Sequence, residues 1–232
     1  MCLTKKLHSR CKIICSKVRV MKGFAFGAFA ILAIGACVCL AAPEPAIVPG
    51  PDDWTVDVRF EYPQQIMVKL SGETDPRRFW YIIMTLTNRT NRDVDFYPEC
   101  DLMTDTFQII PSGKHVPEAV FEQIKGLYQN RYPFLELVER AGNKILQGED
   151  NAKDIVIIWP DFDAAAKSIK LFITGLSNET VAIVPPTVKD QTGKPTTVFL
   201  RKTLELDYKF GGDAVFRSDV KLTLQNKRWI MR

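Results

Sequence analysis

The sequence predicts a mainly β protein: an antiparallel β-sandwich with a two-helix insertion, preceded by an N-terminal apolar signal or anchor helix. Three observations carry this. Short stretches of alternating apolar and polar residues recur from Trp54 onward, separated by Gly, Pro and Asn turns. The interval 116–147 switches to helical spacing. The first 42 residues are basic and then apolar. With no alternation of strand, helix and strand, a doubly wound fold is not expected.

The leader comprises residues 1–42. A cationic stretch, Lys5 to Lys22, runs into an apolar one, Gly23 to Ala42. Read from Met21, the pattern is that of a signal peptide, with residues 1–20 a start-site extension. Cys39 and Ala41 then supply the small side chains at the −3 and −1 positions of a cleavage site. Two other fates stay open. Ile34-Gly35-Ala36-Cys37 resembles a lipoprotein box, which makes Cys37 the lipidation candidate. An uncleaved apolar helix could instead span a bilayer, with the cations keeping its start in the cytoplasm. All three place the rest of the chain outside the cytoplasm, in the periplasm or cell envelope.

The leader also distorts the composition. It holds seven Lys and Arg and no Asp or Glu; the remainder has 24 basic and 27 acidic residues, about −3 in net charge. The sequence pI of 8.7 is therefore no sign of a basic domain, and nucleic acid is not an expected partner. Five of the six cysteines also lie in the leader, leaving Cys100. One thiol cannot close an intrachain disulfide, so a hydrophobic core must hold the fold.

Residues 43–53 form a Pro-rich linker, and 54–232 form the β domain. Trp54, Val56, Val58, Phe60 and Tyr62 alternate with polar residues until Pro63. Ile66, Val68 and Leu70 repeat the pattern up to the Ser71-Gly72 turn. Phe79–Thr87 is apolar on both faces and reads either as a central strand covered on both sides or as one with one side packed and the other partly exposed. Val94 and Phe96 form another short alternation, and 99–110 reads as one further strand. Pro117-Glu118 starts a helix carrying Val120, Phe121, Ile124, Leu127 and Tyr128. A second helix is expected over Phe134–Leu146, with Leu137, Val138, Ala141 and Ile145 on one face. Strands return at 154–159, 168–174, 181–184, 197–200, 202–210 and 220–224. Trp229 lies in a short edge strand or tail.

The run from Phe79 to Ile110 has a specific order: an aliphatic strand ending in Thr87-Asn88, a polar turn, then Val94-x-Phe96-x-Pro98, then a strand ending near Asp105-Thr106. With Gly148-Glu149 and the strands after it, this resembles the immunoglobulin-like, telokin-like accessory domains of exported bacterial proteins. The layout is also similar to that of uncharacterised exported proteins of planctomycete-type bacteria. The resemblance covers roughly residues 77–176. It implies an immunoglobulin-like sandwich and an envelope location, and it supplies no catalytic or binding residue.

Nothing in the domain singles out a reaction. Ser112 and His115 could be imagined as nucleophile and base, but they share a polar Pro-Ser-Gly loop. One His and one Cys are too few for zinc. Asp161 and Asp163, with Glu149, Asp150 and Asp154, could offer oxygen ligands to calcium, yet lack EF-hand spacing and read as turn residues. Asn88-Arg89-Thr90 and Asn178-Glu179-Thr180 match the glycosylation pattern and read as turns ending strands. Gly211-Gly212-Asp213 reads as a hairpin turn, and Asp75-Pro76-Arg77-Arg78 as a solvated one. Cys100, beside acidic residues, reads as a half-buried strand residue. Trp54, Trp80, Trp159 and Trp229 fall mostly on alternating strand positions, where core packing is the default reading and a glycan platform the alternative.

The expected role is a non-catalytic interaction or structural module of the envelope, with no cofactor. It would meet a protein or envelope partner, and the membrane itself if the leader is kept. An extracytoplasmic hydrolase or glycan-binding protein, with a site of carboxylates and aromatics, is the alternative. A subunit that exchanges an edge strand with a partner is a third reading. Intact-mass measurement on protein recovered from cells separates the leader's fates. A chain beginning at Ala42 is expected from cleavage after Ala41, an acylated Cys37 from lipidation, and an unprocessed chain from an anchor. A product retaining residues 1–20 would rule out the Met21 start.

Overall fold

The computed structural model describes residues 50–189, 191–212 and 220–232. The leader, with Cys37, Ala41 and the apolar segment, lies outside the described residues. Among the described residues the protein is mainly β, with two large sheets and one α-helix. No described helix is long and apolar enough to cross a membrane.

The first sheet contains β1 (Asp57–Phe60), β2 (Gln64–Val68), β3 (Arg77–Asn88), β7 (Glu136–Leu137) and β9 (Gly148–Pro160). β1 and β2 lie end to end along one side of β3, because Pro63 interrupts a single line of pairing. β9 takes the other side of β3, and β7 joins β9 in parallel. The second sheet contains β5 (Cys100–Thr104), β6 (Ile109–Pro111), β10 (Ser168–Ile173), β11 (Thr180–Ile183), β12 (Val198–Phe210) and β13 (Leu222–Met231). Its order is β13-β12-β10-β5-β6, with β11 continuing the line of β10 along β12. A two-stranded piece, β4 (Val94–Asp95) with β8 (Lys144–Ile145), completes the set.

Of the two readings of Phe79–Thr87, the strand covered on both sides holds: β3 is buried on both faces, and its partner β9 shares this. Strand periodicity sorts the side chains. Trp80, Ile82 and Met84 stand opposite Trp159, Ile157 and Ile155 on one face. They pack against Leu102, Leu171, Leu204 and Leu206 of the second sheet, forming the core between the sheets. Phe79, Tyr81, Ile83, Val156 and Ile158 point the other way and meet α1 (Glu118–Tyr128) through Val120, Phe121 and Ile124. The architecture is therefore helix on sheet on sheet.

The second expected helix does not form. Phe134–Leu146 instead supplies β7, a 3-10 turn at Val138–Arg140, and β8. The helix-like spacing is real, since Leu135, Val138, Ala141 and Ile145 are all buried. They serve two different cores, however. Leu135 joins the cluster under α1, whereas Val138, Ala141 and Ile145 join the core between the sheets. A straight helix presents one apolar stripe to one surface, so this segment crosses the sheet edge in an irregular path, with Gly142 in the left-handed region at φ 73°. The insertion thus carries one helix.

Three smaller expectations change similarly. Residues 99–110 form two strands, because Thr104 accepts and donates across a tight turn to Gln108. The two stretches at 197–210 are one strand, β12. The C-terminal region is a ten-residue edge strand, β13, that takes in both 222–224 and Trp229.

The one-sided burial of α1 predicts a contrast in stability. Ile124 is fully buried while Leu127 is 69% exposed. In urea unfolding, Ile124→Ala is expected to cost about 2–5 kcal/mol and Leu127→Ala less than about 0.5 kcal/mol. Equal costs would mean that α1 does not cover the sheet.

Candidate functional site

A surface groove of about 640 Å³ opens between β1 and β13, which are edge strands of the two sheets among the described residues. β1 and the residues ahead of it form one wall, Thr55 to Arg59; β13 supplies Lys227 and Trp229; Thr87, Arg89, Glu149 and Ala152 close one side. Register explains which side chains arrive there. On β12, Leu204 and Leu206 face the core, so their partners on β13, Trp229 and Lys227, face the sandwich interior at its rim. Lys227 lays its ammonium over the Phe60 ring at 5.1 Å, and Trp229 is 36% exposed with the Lys202 ammonium 5.4 Å from its ring centre.

Two charge groupings flank the opening. Arg89 bridges Asp57 at 2.6 Å and Glu149 at 2.8 Å, and the Glu149 hydrogen bond is the main reason its pKa is raised further. Deeper, Thr55 Oγ1 donates to Ser177 Oγ at 3.0 Å and Glu179 Oε1 at 3.2 Å, and Lys202 pairs with Glu179. Ser177 donates to the Trp54 carbonyl, so this polar box ties the start of β1 to the second sheet. Arg59 and Lys227 are different. Neither has a carboxylate partner among the described residues.

β13 is pinned from its other face. Glu205 on β12 is 2% exposed and receives Arg228 of β13 at 3.0 Å and Lys170 of β10 at 3.0 Å. Burial works against its ionisation, but hydrogen bonds from Arg228 and Lys170 outweigh that and lower its pKa below the ordinary value of 4.5.

The residues singled out in the sequence are mostly committed elsewhere. Ser112 donates to Glu139 at 2.8 Å, and His115 is exposed. Asp154 accepts from Thr85 at 2.6 Å, while Asp161 accepts from the Trp80 indole at 2.9 Å and pairs with Arg78 at 3.5 Å. Among the described residues no group of acidic, His or Cys side chains is arranged to hold a metal ion. Asn88 is fully buried and clasps the turn after β3, donating to the carbonyls of Arg92 and Ile145 at 2.8 and 2.9 Å. Asn178 is tied to Trp54 and Asp52. Cys100 is buried rather than half-buried, and burial followed by the nearby Glu139 and Asp101 pushes its thiol pKa well up. Trp80 and Trp159 lie in the core; only Trp54 and Trp229 reach the surface, and Trp229 alone lines the groove.

The groove itself was not foreseen. Its parts come from well-separated segments of the chain, between Thr55 and Trp229, which no local pattern joins. One signal was available: Lys227 occupies an inward-facing place in the alternation of β13, where an apolar residue is the norm. No family model, curated protein or solved structure matches the chain.

The Glu205 cluster gives a pH prediction. A folded-state pKa below the unfolded one stabilises above the unfolded value, and that benefit is lost as pH falls through the folded value. The stability gap between the native chain and Glu205→Gln is therefore expected at pH 7 and should close as pH falls through and below the ordinary value of 4.5. Urea midpoints measured across this range check it; a gap independent of pH would refute the ionised pair.

Proposed function

We propose that the chain is an exported envelope protein whose immunoglobulin-like domain is a non-catalytic interaction module, carried to or held at a membrane by residues 1–42. The sheet order supports the immunoglobulin-like reading. β1-β3-β9-β7 corresponds to strands A-B-E-D of such a sandwich, and β12-β10-β5 to G-F-C. Two departures accompany it: β7 runs parallel to β9, and β13 adds a strand outside G.

The observation that carries the functional reading is the groove between two free strand edges, β1 and β13. An accessible edge suits an interaction module that adds a strand, whereas a glycoside hydrolase typically sets two carboxyl groups facing each other across its site. The groove's two carboxylates, Asp57 and Glu149, instead share Arg89 in ion pairs of 2.6 and 2.8 Å, an arrangement that supports structural roles for both.

Complementation of a deletion strain tests the reading. Asp57→Asn and Glu149→Gln are each expected to restore the wild-type phenotype as fully as the native chain. Failure of either with an unchanged Tm, together with release of sugar from envelope glycans by the native chain, would support the hydrolase.

A further inference from the structure

We infer that β13 is a docking edge for an extended polypeptide segment with an acidic residue two positions from an apolar one. This rests on the interaction-module reading and names the partner's chemistry.

Backbone pairing shows what the edge offers. Arg201 and Arg232 exchange both backbone hydrogen bonds, at 2.8 and 3.1 Å. Such pairs alternate along an antiparallel ladder, so Ile230, Arg228 and Asn226 turn their N–H and C=O groups toward β12. Those of Met231, Trp229 and Lys227 point to the open side and meet no partner among the described residues. The register shift at Asp207/Tyr208 ends the regular edge before Asn226. Asn226–Met231 is about 20 Å long, enough to seat a short strand.

The side chains set the preference. An added strand puts the residues opposite Lys227 and Trp229 on the groove side, two positions apart. One meets an ammonium set over the Phe60 ring; the other meets a half-exposed indole. The groove holds three cations, Arg59, Arg89 and Lys227, against two carboxylates, Asp57 and Glu149. An acidic residue opposite Lys227 gains a partner there, and a basic one is repelled. The same repulsion opposes a second copy of the chain, whose β13 would bring its own Lys227 to the groove.

The test uses the full chain in detergent and two blocked peptides, TTVTETVTT and TTVTKTVTT. Each is symmetric about its charged residue, so strand direction does not matter. The glutamate peptide is expected to bind about tenfold more tightly than the lysine peptide. It should slow amide exchange at Lys227, Trp229 and Met231. Lys227→Glu should invert the preference. Met231→Pro removes an N–H that bonds nothing among the described residues, so it should keep the native Tm and lose about tenfold in affinity. Equal binding of the two peptides, protection elsewhere, or a dimer abolished by Met231→Pro would overturn the proposal. If the peptides fail and the native chain releases no sugar from envelope glycans, the edge proposal alone falls; if it does release sugar, the module reading falls.

Discussion

Strands β3 and β9 carry apolar side chains on both faces, so neither face can be left to water, and the remainder of the domain is arranged to cover them. One face is met by the second sheet through Leu102, Leu171, Leu204 and Leu206, the other by α1 through Val120, Phe121 and Ile124. The large paired side chains Trp80 and Trp159 lie on the inner face and help set the spacing of the sheets. The demand is strong because each fully buried large side chain is worth about 2–3 kcal/mol of apolar transfer. A strand pair with only one apolar face would have needed no helix. The insertion after β6 is thus explained by the composition of Phe79–Thr87.

Covering the centre leaves the edges. β6 is short and ends at Pro111, which has no N–H to offer. β2 is bounded by Pro63. β13 is long, and charge rather than proline governs it. Glu205 beneath Arg228 and Lys170 fixes it to the sheet from outside. Lys227 marks its inner side with an ammonium over Phe60. A buried ion pair of this kind adds little net stability over an apolar substitute, because desolvation offsets attraction. Its effect is on register: Glu205 stands directly opposite Arg228, and a slip of one residue would take that guanidinium to the other face.

Strands were legible wherever one local pattern had one destination. Trp54–Tyr62, 168–174 and 202–210 alternate because each has one face on the same core, and Phe79–Thr87 is continuous because both its faces are covered. The reading failed where one pattern served two destinations. Leu135, Val138, Ala141 and Ile145 keep helical spacing, yet are divided between two cores on opposite sides of a sheet. Periodicity records that a residue is buried and not which neighbour buries it. The groove was invisible for a related reason. Val58 and Trp229 become neighbours only after thirteen strands are ordered, and the sequence pattern of an edge strand does not differ from that of an interior strand with one wet face.

Charge shows the same division between whole and part. Without its leader the chain carries about −3, which on average disfavours an acidic partner. At the groove the balance is positive by one, with Lys227 and Arg59 lacking carboxylate partners among the described residues. Which governs depends on distance. At physiological ionic strength the Debye length is about 8 Å, so the domain's diffuse negative charge is largely screened before a segment reaches the edge. A carboxylate seated opposite Lys227 would lie within a few ångströms of the ammonium, beside low-dielectric side chains such as Phe60 and Trp229, where screening is weakest. The average charge therefore slows the approach slightly, and the local arrangement decides which segment stays.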